Sequence, residues 1–456
     1  MRTWRTRALV ALELMLCLGG APFGGPAFGA DRIKQQAAAL PQASASGGAA
    51  SSGAHQASEV TAYTLPPDLY AKAVKFSRAQ YDLYFVDTGW SIIVLLLVLA
   101  WKLAPRYHDW AERAAGNRFV QSVIFAPLFL FTLAILELPV GIYGHWLSRS
   151  YGISVQHWGS WLGDWAKGQI LTYILGIILI WILYAVIRKS ARRWWFYFWL
   201  ASLPILIFVL FISPWVIDPL FDKFEPLQPV HPELVSSLES VVNRAGMSIP
   251  PDRMFLMKAS EKVTAVDAYV TGFGASKRVV VLDTTISKMN PDQIAFVFGH
   301  EMGHYVLYHI PKGLLFFAAL LLVLFYIGYR VATGVVSQQG PRWSIRGIDD
   351  WASLPVLLLI LTILAFVASP LFNGYSRHQE HEADRYGLEV THGLIPDSSQ
   401  VAAQAFEILG TVDLADPHPS PFIEFWLLNH PSIPDRIRFS LDYRPWAQGQ
   451  EPHYVK

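Results

Sequence analysis

Two histidines four residues apart, with a glutamate beside the first, make His300-Glu301-Met302-Gly303-His304 the run in this chain best equipped for chemistry. Side chains at i and i+4 leave one face of a helix, so both imidazoles can grip a single zinc ion while Glu301 reaches the water it activates. This is the minimum set for hydrolysing a peptide bond with metal-activated water.

The residues upstream supply the helix that this chemistry requires. Asn290 is a good N-cap, Pro291 fits the first helical position, Asp292 suits the positive helix end, and Gln293 stands where a capping box needs it. Ile294, Val297, Phe298, Glu301 and Met302 then follow at helical spacing, which sets His300 and His304 about three turns into a rigid element.

A catalytic zinc site needs a third protein ligand and an open position. The single cysteine, Cys17, lies in the N-terminal apolar stretch, so a thiolate site and a disulfide framework are excluded and histidine and carboxylate remain. His309 falls off the ligand face. The dense run Ser376-Arg377-His378-Gln379-Glu380-His381-Glu382-Ala383-Asp384 is expected to open a helix. Glu380 and Asp384 share a face there, so one can bind zinc while the other accepts the ring N–H of a liganding histidine. Glu382 points the other way, and spacing alone does not rank Glu380 against Glu382.

Composition sets the surroundings. With 53% hydrophobic residues and a mean hydropathy of +0.32 over 456 residues, the chain reads as a polytopic membrane protein, and a net charge of +1 gives no nucleic-acid signal. Residues 1–30 have the basic start, apolar run and small-residue end of a signal peptide or short anchor, and residues 31–60 read as a disordered linker. Four membrane segments are expected within 61–221 (about 87–105, 119–144, 169–188 and 194–216) and two within 312–372 (about 312–334 and 351–372). Between and after them lie two polar regions, 222–311 and 373–456. The first reads as helix 232–245, strands 253–257, 265–270 and 278–282, a hairpin turn at Thr271-Gly272-Phe273-Gly274, and then the histidine-bearing helix. Ala268 to Thr271 is the candidate edge strand onto which an extended peptide could add.

HEMGH taken together with SRHQEHEAD, SPWVIDPLFDKFEPL, VDAYVTGFGASKRVVVLDTTI and NHPSIPDRI resembles the type I CAAX prenyl proteases, integral-membrane gluzincin zinc metallopeptidases, over roughly residues 75–440. The resemblance implies a mainly α fold, a ring of membrane helices enclosing a chamber capped by a small α+β zincin-like domain, and one Zn²⁺ per chain. It implies His300, His304 and Glu380 as zinc ligands, Glu301 as catalytic base, Asp384 as support for a liganding histidine, and His430 of His430-Pro431 as the group that polarises the substrate carbonyl. Asp267, Ala268, Tyr269 and Arg436 are implied as substrate contacts, although the family usually has asparagine where this chain has Asp267. The substrates implied are membrane-associated or exported polypeptides, CAAX-type lipidated chains among them. The competing class, a membrane binding or transport protein with a structural zinc, shows no inverted repeat and leaves Glu301 without a role.

Charge gives a direction. Lys102, Arg106, Arg113 and Arg118 fill one loop and Arg188, Lys189, Arg192 and Arg193 another, whereas 145–168 holds only Arg149 and Lys167. By the positive-inside rule the first two loops are cytoplasmic, and the zinc domain of this cell-membrane protein faces away from the cytoplasm. Glu137, costly in lipid, is expected to face the interior of the bundle.

Overall fold

The computed structural model describes residues 59–272 and 277–455. The expected signal segment, the linker up to residue 58 and the hairpin tip at 273–276 lie outside the described residues. Val60, expected in the linker, is buried: its N–H donates to Gln400 Oε1 at 3.0 Å and its carbonyl accepts from Gln400 Nε2 at 3.1 Å.

The membrane part begins with α1 (Pro67–Ala100), a short amphipathic α2 (Leu103–Ala114), α3 (Arg118–Ser150), α4 (Trp158–Lys189) and α5 (Trp194–Ile212). A π turn at Ser213–Ile217 and the one-turn α6 (Asp218–Phe221) lead to strand β1 (Phe224–Pro226), helix α7 (Pro232–Arg244) and strands β2 (Met254–Met257), β3 (Ala268–Thr271) and β4 (Arg278–Leu282). Helices α8 (Asp283–Lys288), α9 (Pro291–Val306), α10 (His309–Gln339), α11 (Leu354–Thr391), α12 (Ser398–Val412), α13 (Pro421–Trp426) and α14 (Ile433–Asp442) complete the chain. Among the described residues five helices, α1, α3, α4, α10 and α11, are long and apolar enough to cross a bilayer. The sixth expected span, 194–216, falls on α5, a 19-residue apolar helix that the π turn at Ser213–Ile217 prolongs toward the polar domain. Glu137 is buried within the bundle, as its cost in lipid requires.

The bundle has two distinguishable ends. At one, Arg346 pairs with Asp109 at 3.1 Å and Glu112 at 2.9 Å, and Arg188 lies 4.4 Å over the Trp351 ring. The two basic loops therefore meet the 340–353 connection there. The start of α1, the sheet and the histidine-bearing helix gather at the other end.

The sheet runs β1-β2-β4-β3, with β1 antiparallel to β2, β2 parallel to β4, and β3 antiparallel to β4, so β3 is an edge. Leu282 N–H donates to the Asp267 carbonyl at 3.2 Å. Antiparallel alternation then turns the backbone groups of Ala268 and Val270 out of the free edge.

Helix α9 starts as its residues require, with Asn290 and Gln293 forming a reciprocal capping box. Every residue from Gln293 to His304 is buried, because α7, β3, α11 and α12 surround the helix. The run 376–384 does not open a helix of its own. It occupies the later turns of α11, 38 residues that continue without interruption through Pro370. Glu380 and Asp384 thus ride on the last membrane helix.

Three glycines let α9 and α11 approach. A Cβ on Gly387 of α11 would stand 3.0 Å from the His300 backbone nitrogen, and one on Gly303 would stand 3.2 Å from Ala383 Cα. On Gly299 it would meet Val390 Cγ1 at 2.9 Å. Replacing Gly387 with alanine must push the two backbones apart, which costs about 1–3 kcal/mol. Thermal unfolding of the detergent-solubilised Gly387→Ala protein should show a lowered midpoint together with reduced bound zinc; wild-type values for both would refute this role.

Candidate zinc site

His300 and His304 leave α9 one turn apart, and Glu380 faces them from α11. His300 Nε2 and His304 Nε2 lie 3.1 Å apart, Glu380 Oε2 is 3.3 Å from His300 Nε2, and Glu380 Oε1 is 3.2 Å from His304 Nε2. Ligands about 2.0–2.1 Å from a tetrahedral zinc stand about 3.3 Å from one another, so this donor set fits the ion. All three side chains are buried, and they form the one group able to hold a metal ion among the described residues.

Each histidine needs its other nitrogen fixed for Nε2 to present a lone pair. For His300 the fixing group is Asp384, whose Oδ1 lies 2.7 Å from Nδ1. Asp384 is itself held by Arg436, whose Nε donates to Oδ2 at 2.9 Å while a second guanidinium nitrogen donates to Oδ1. Arg436, expected among the substrate contacts, is buried, lies 4.1 Å over the Phe406 ring and holds Asp384, the carboxylate behind His300. For His304 the group at Nδ1 is His309, 2.9 Å away. Spacing had set His309 aside because five residues do not share a helix face. Tyr308, at φ 57°, breaks the helix there, so helical spacing does not apply across it.

Glu301 Oε1 lies 3.9 Å from His300 Nε2, beside the ligand set and buried with it. His430 stands in the loop between α13 and α14, its Nε2 3.5 Å from Glu380 Oε2 and its Nδ1 2.6 Å from Asn429 Oδ1. Polar side chains of α11 pin that loop: Asn373 Nδ2 donates to the Trp426 carbonyl at 2.6 Å, Ser376 Oγ to the Asn429 carbonyl at 2.6 Å, and Arg377 to the Glu424 carbonyl at 2.7 Å. Asp267 precedes the free edge, its N–H donating to Thr285 Oγ1 at 2.6 Å. Ala268 and Tyr269 are buried on β3, the tyrosine in the small apolar cluster beneath the sheet.

The pinning residues and the glycines were not singled out from sequence. The signal was present for the glycines: Gly299 and Gly303 are four apart, the small-residue spacing that allows close helix contact.

Comparison with known proteins agrees with this geometry. Residues 52–223 match the CAAX prenyl protease N-terminal domain with five membrane helices, and residues 230–443 match peptidase family M48. An uncharacterized metalloprotease of Bacillus subtilis, YhfN, is 33% identical over 376 residues, 82% of this chain and 86% of that protein. The chain belongs to peptidase family M48. The yeast CAAX prenyl protease 1 is 26% identical, with 82% of each chain covered. The crystal structure of S. mikatae Ste24p shares the fold, with a TM-score of 0.71 at 23% identity over 83% of this chain and 90% of that one. This family M48 protein is a multi-pass membrane zinc metalloprotease.

Protons compete with the metal in this M48 site. Burial opposes a charge on His300, but the Asp384 and Glu380 carboxylates outweigh it and raise the imidazole above its ordinary 6.5; on His304 burial prevails and lowers it. A raised pKa means that metal-free protein keeps the His300 proton to higher pH than an ordinary histidine would. Zinc must displace that proton, so apparent zinc affinity should fall as pH drops through the raised value, with proton release on binding. Titration calorimetry in buffers of different ionisation enthalpy checks this; affinity that stays flat between about pH 8 and about pH 6 would contradict it.

Proposed function

We propose that the protein hydrolyses peptide bonds of membrane-associated or exported polypeptides on the non-cytoplasmic side of the cell membrane, in processing or clearance. The observation that carries this reading is the meeting of His300, His304 and Glu380 with Glu301 beside them, at the end of the bundle opposite the basic loops. By the positive-inside rule, the eight lysines and arginines of those loops support a cytoplasmic location for that end. Cytosolic CAAX tails would then be out of reach of the site, which favours exported chains over the substrates that name the yeast relative.

His300, His304 and Glu380 would hold the zinc. When bound, Zn²⁺ supplies a Lewis acid that polarises the peptide carbonyl and makes water more acidic. Glu301 is placed to take a proton from the attacking water. As the C–N bond breaks, it delivers that proton to the departing amine. His430 faces the same space; its Nδ1–H donates to Asn429 Oδ1, so it would donate to the oxyanion from Nε2 in the form protonated on both nitrogens. The free edge at Ala268 and Val270 offers two sets of backbone donors and acceptors to an extended substrate. Asp267, Ala268 and Tyr269 contribute main chain there.

Glu301→Gln should retain zinc yet lose about 10³-fold or more in cleavage of casein or a model peptide, since it removes the carboxylate proposed to take the proton. Cleavage that survives this change would overturn the mechanism. Orientation is tested separately by fusing alkaline phosphatase or a fluorescent protein after Leu220. An active phosphatase is expected, and a fluorescent, phosphatase-inactive pair would place the site in the cytoplasm.

A further inference from the structure

The two histidine ligands are supported differently. His300 leans on a carboxylate, Asp384, that a buried guanidinium neutralises. His304 leans on a second imidazole. With Nε2 of His304 turned to the metal position, its Nδ1 carries the proton and donates to His309 Nδ1 at 2.9 Å. That donation fixes the tautomer of His309, whose proton must then sit on Nε2. This nitrogen faces Glu382 Oε2 at 3.4 Å, long for a hydrogen bond but within ion-pair reach.

Glu382 is anchored from the far side. Its Oε1 accepts from the Tyr454 hydroxyl at 2.9 Å, and the exposed His378 stands 3.7 Å from Oε2. Burial and the Glu382 carboxylate push the Tyr454 hydroxyl up to about 12, so it stays a donor. Tyr454 is not loosely placed. Two turns further along the same face of α11, the buried Glu389 carboxylate accepts from three successive backbone N–H groups, His453 at 2.8 Å, Tyr454 at 2.6 Å and Val455 at 3.0 Å, and from the Tyr443 hydroxyl. His309 is itself fully buried, and Gln379 Nε2 donates to its carbonyl at 3.1 Å. The left-handed backbone at Tyr308 turns the chain so that this ring folds back beneath His304.

We propose that His309 is a positioning residue for the zinc ligand His304, oriented by Glu382, and that the segment 453–455, clamped by Glu389, is part of the metal site's support through Tyr454. This rests on zinc binding at His300, His304 and Glu380. The supporting segment lies beyond residues 230–443, where the M48 match ends.

The test is zinc loss to a chelator, followed by elemental mass spectrometry on detergent-solubilised protein, with the unfolding midpoint of metal-free protein measured alongside. His309→Ala should release zinc about 10–100-fold faster than wild type, the usual cost of removing a ligand's hydrogen-bond partner. His309→Gln, whose amide oxygen can still accept from His304 Nδ1, should recover most of that loss. Glu382→Ala and Tyr454→Phe should speed release about 2- to 10-fold with the metal-free midpoint unchanged. Release at the wild-type rate in His309→Ala, or no rescue by His309→Gln, would overturn the proposal. Should His309→Ala fail to fold, Glu382→Ala and Tyr454→Phe decide it, and wild-type release in both would overturn it. Wild-type protein that binds no zinc would sink the metal-site reading first.

Discussion

The site depends on how closely two helix backbones can approach. Helix α9 carries both histidines and Glu301, while Glu380, 76 residues beyond His304 (380 − 304), and Asp384 come from α11. For Glu380 to reach both imidazoles, the helices must pack with no side chain between them, and Gly299, Gly303 and Gly387 provide that contact. A single methylene at Gly387 would fall against the His300 backbone. The chemistry is thus set by packing before it is set by charge.

Given that contact, electrostatics completes the arrangement. Three carboxylates, of Glu301, Glu380 and Asp384, and two imidazoles in a buried space would be destabilised by repulsion and lost hydration without compensation. Arg436 supplies a fixed positive charge to Asp384, and a zinc ion held by His300, His304 and Glu380 would supply the remainder. Burial also strips water from the site, which strengthens each of these interactions. The membrane helices add a rigid mount: Glu380 and Asp384 stand on a continuous 38-residue helix whose earlier turns lie in the bundle. Motion of that helix relative to α9 would alter the ligand set directly.

Much of this was legible in the residues. The capping box at Asn290 and Gln293 is local, involving backbone groups three residues apart, and it formed as its chemistry dictates. Strands β2, β3 and β4 fall on the β-rich runs and β3 is an edge, whereas the short β1 at Phe224–Pro226 was not anticipated. What escaped is non-local. Continuity of α11 through Pro370 was not readable, because a proline within an apolar run usually marks a helix end. The part played by Arg436 required knowing which element faces α11, and that of His309 required the broken helix at Tyr308. The third ligand was a tie between Glu380 and Glu382 on spacing alone; resemblance ranked Glu380 first, and the fold turns Glu382 toward Tyr454.

The central claim is that α9 and α11 together build one zinc centre from His300, His304 and Glu380. Anomalous diffraction at the zinc edge on crystals of the purified protein tests it most directly. The account predicts a single strong peak within about 2.0–2.2 Å of His300 Nε2, His304 Nε2 and a Glu380 carboxylate oxygen. A zinc peak elsewhere, or one bound to both histidines without Glu380, would contradict it.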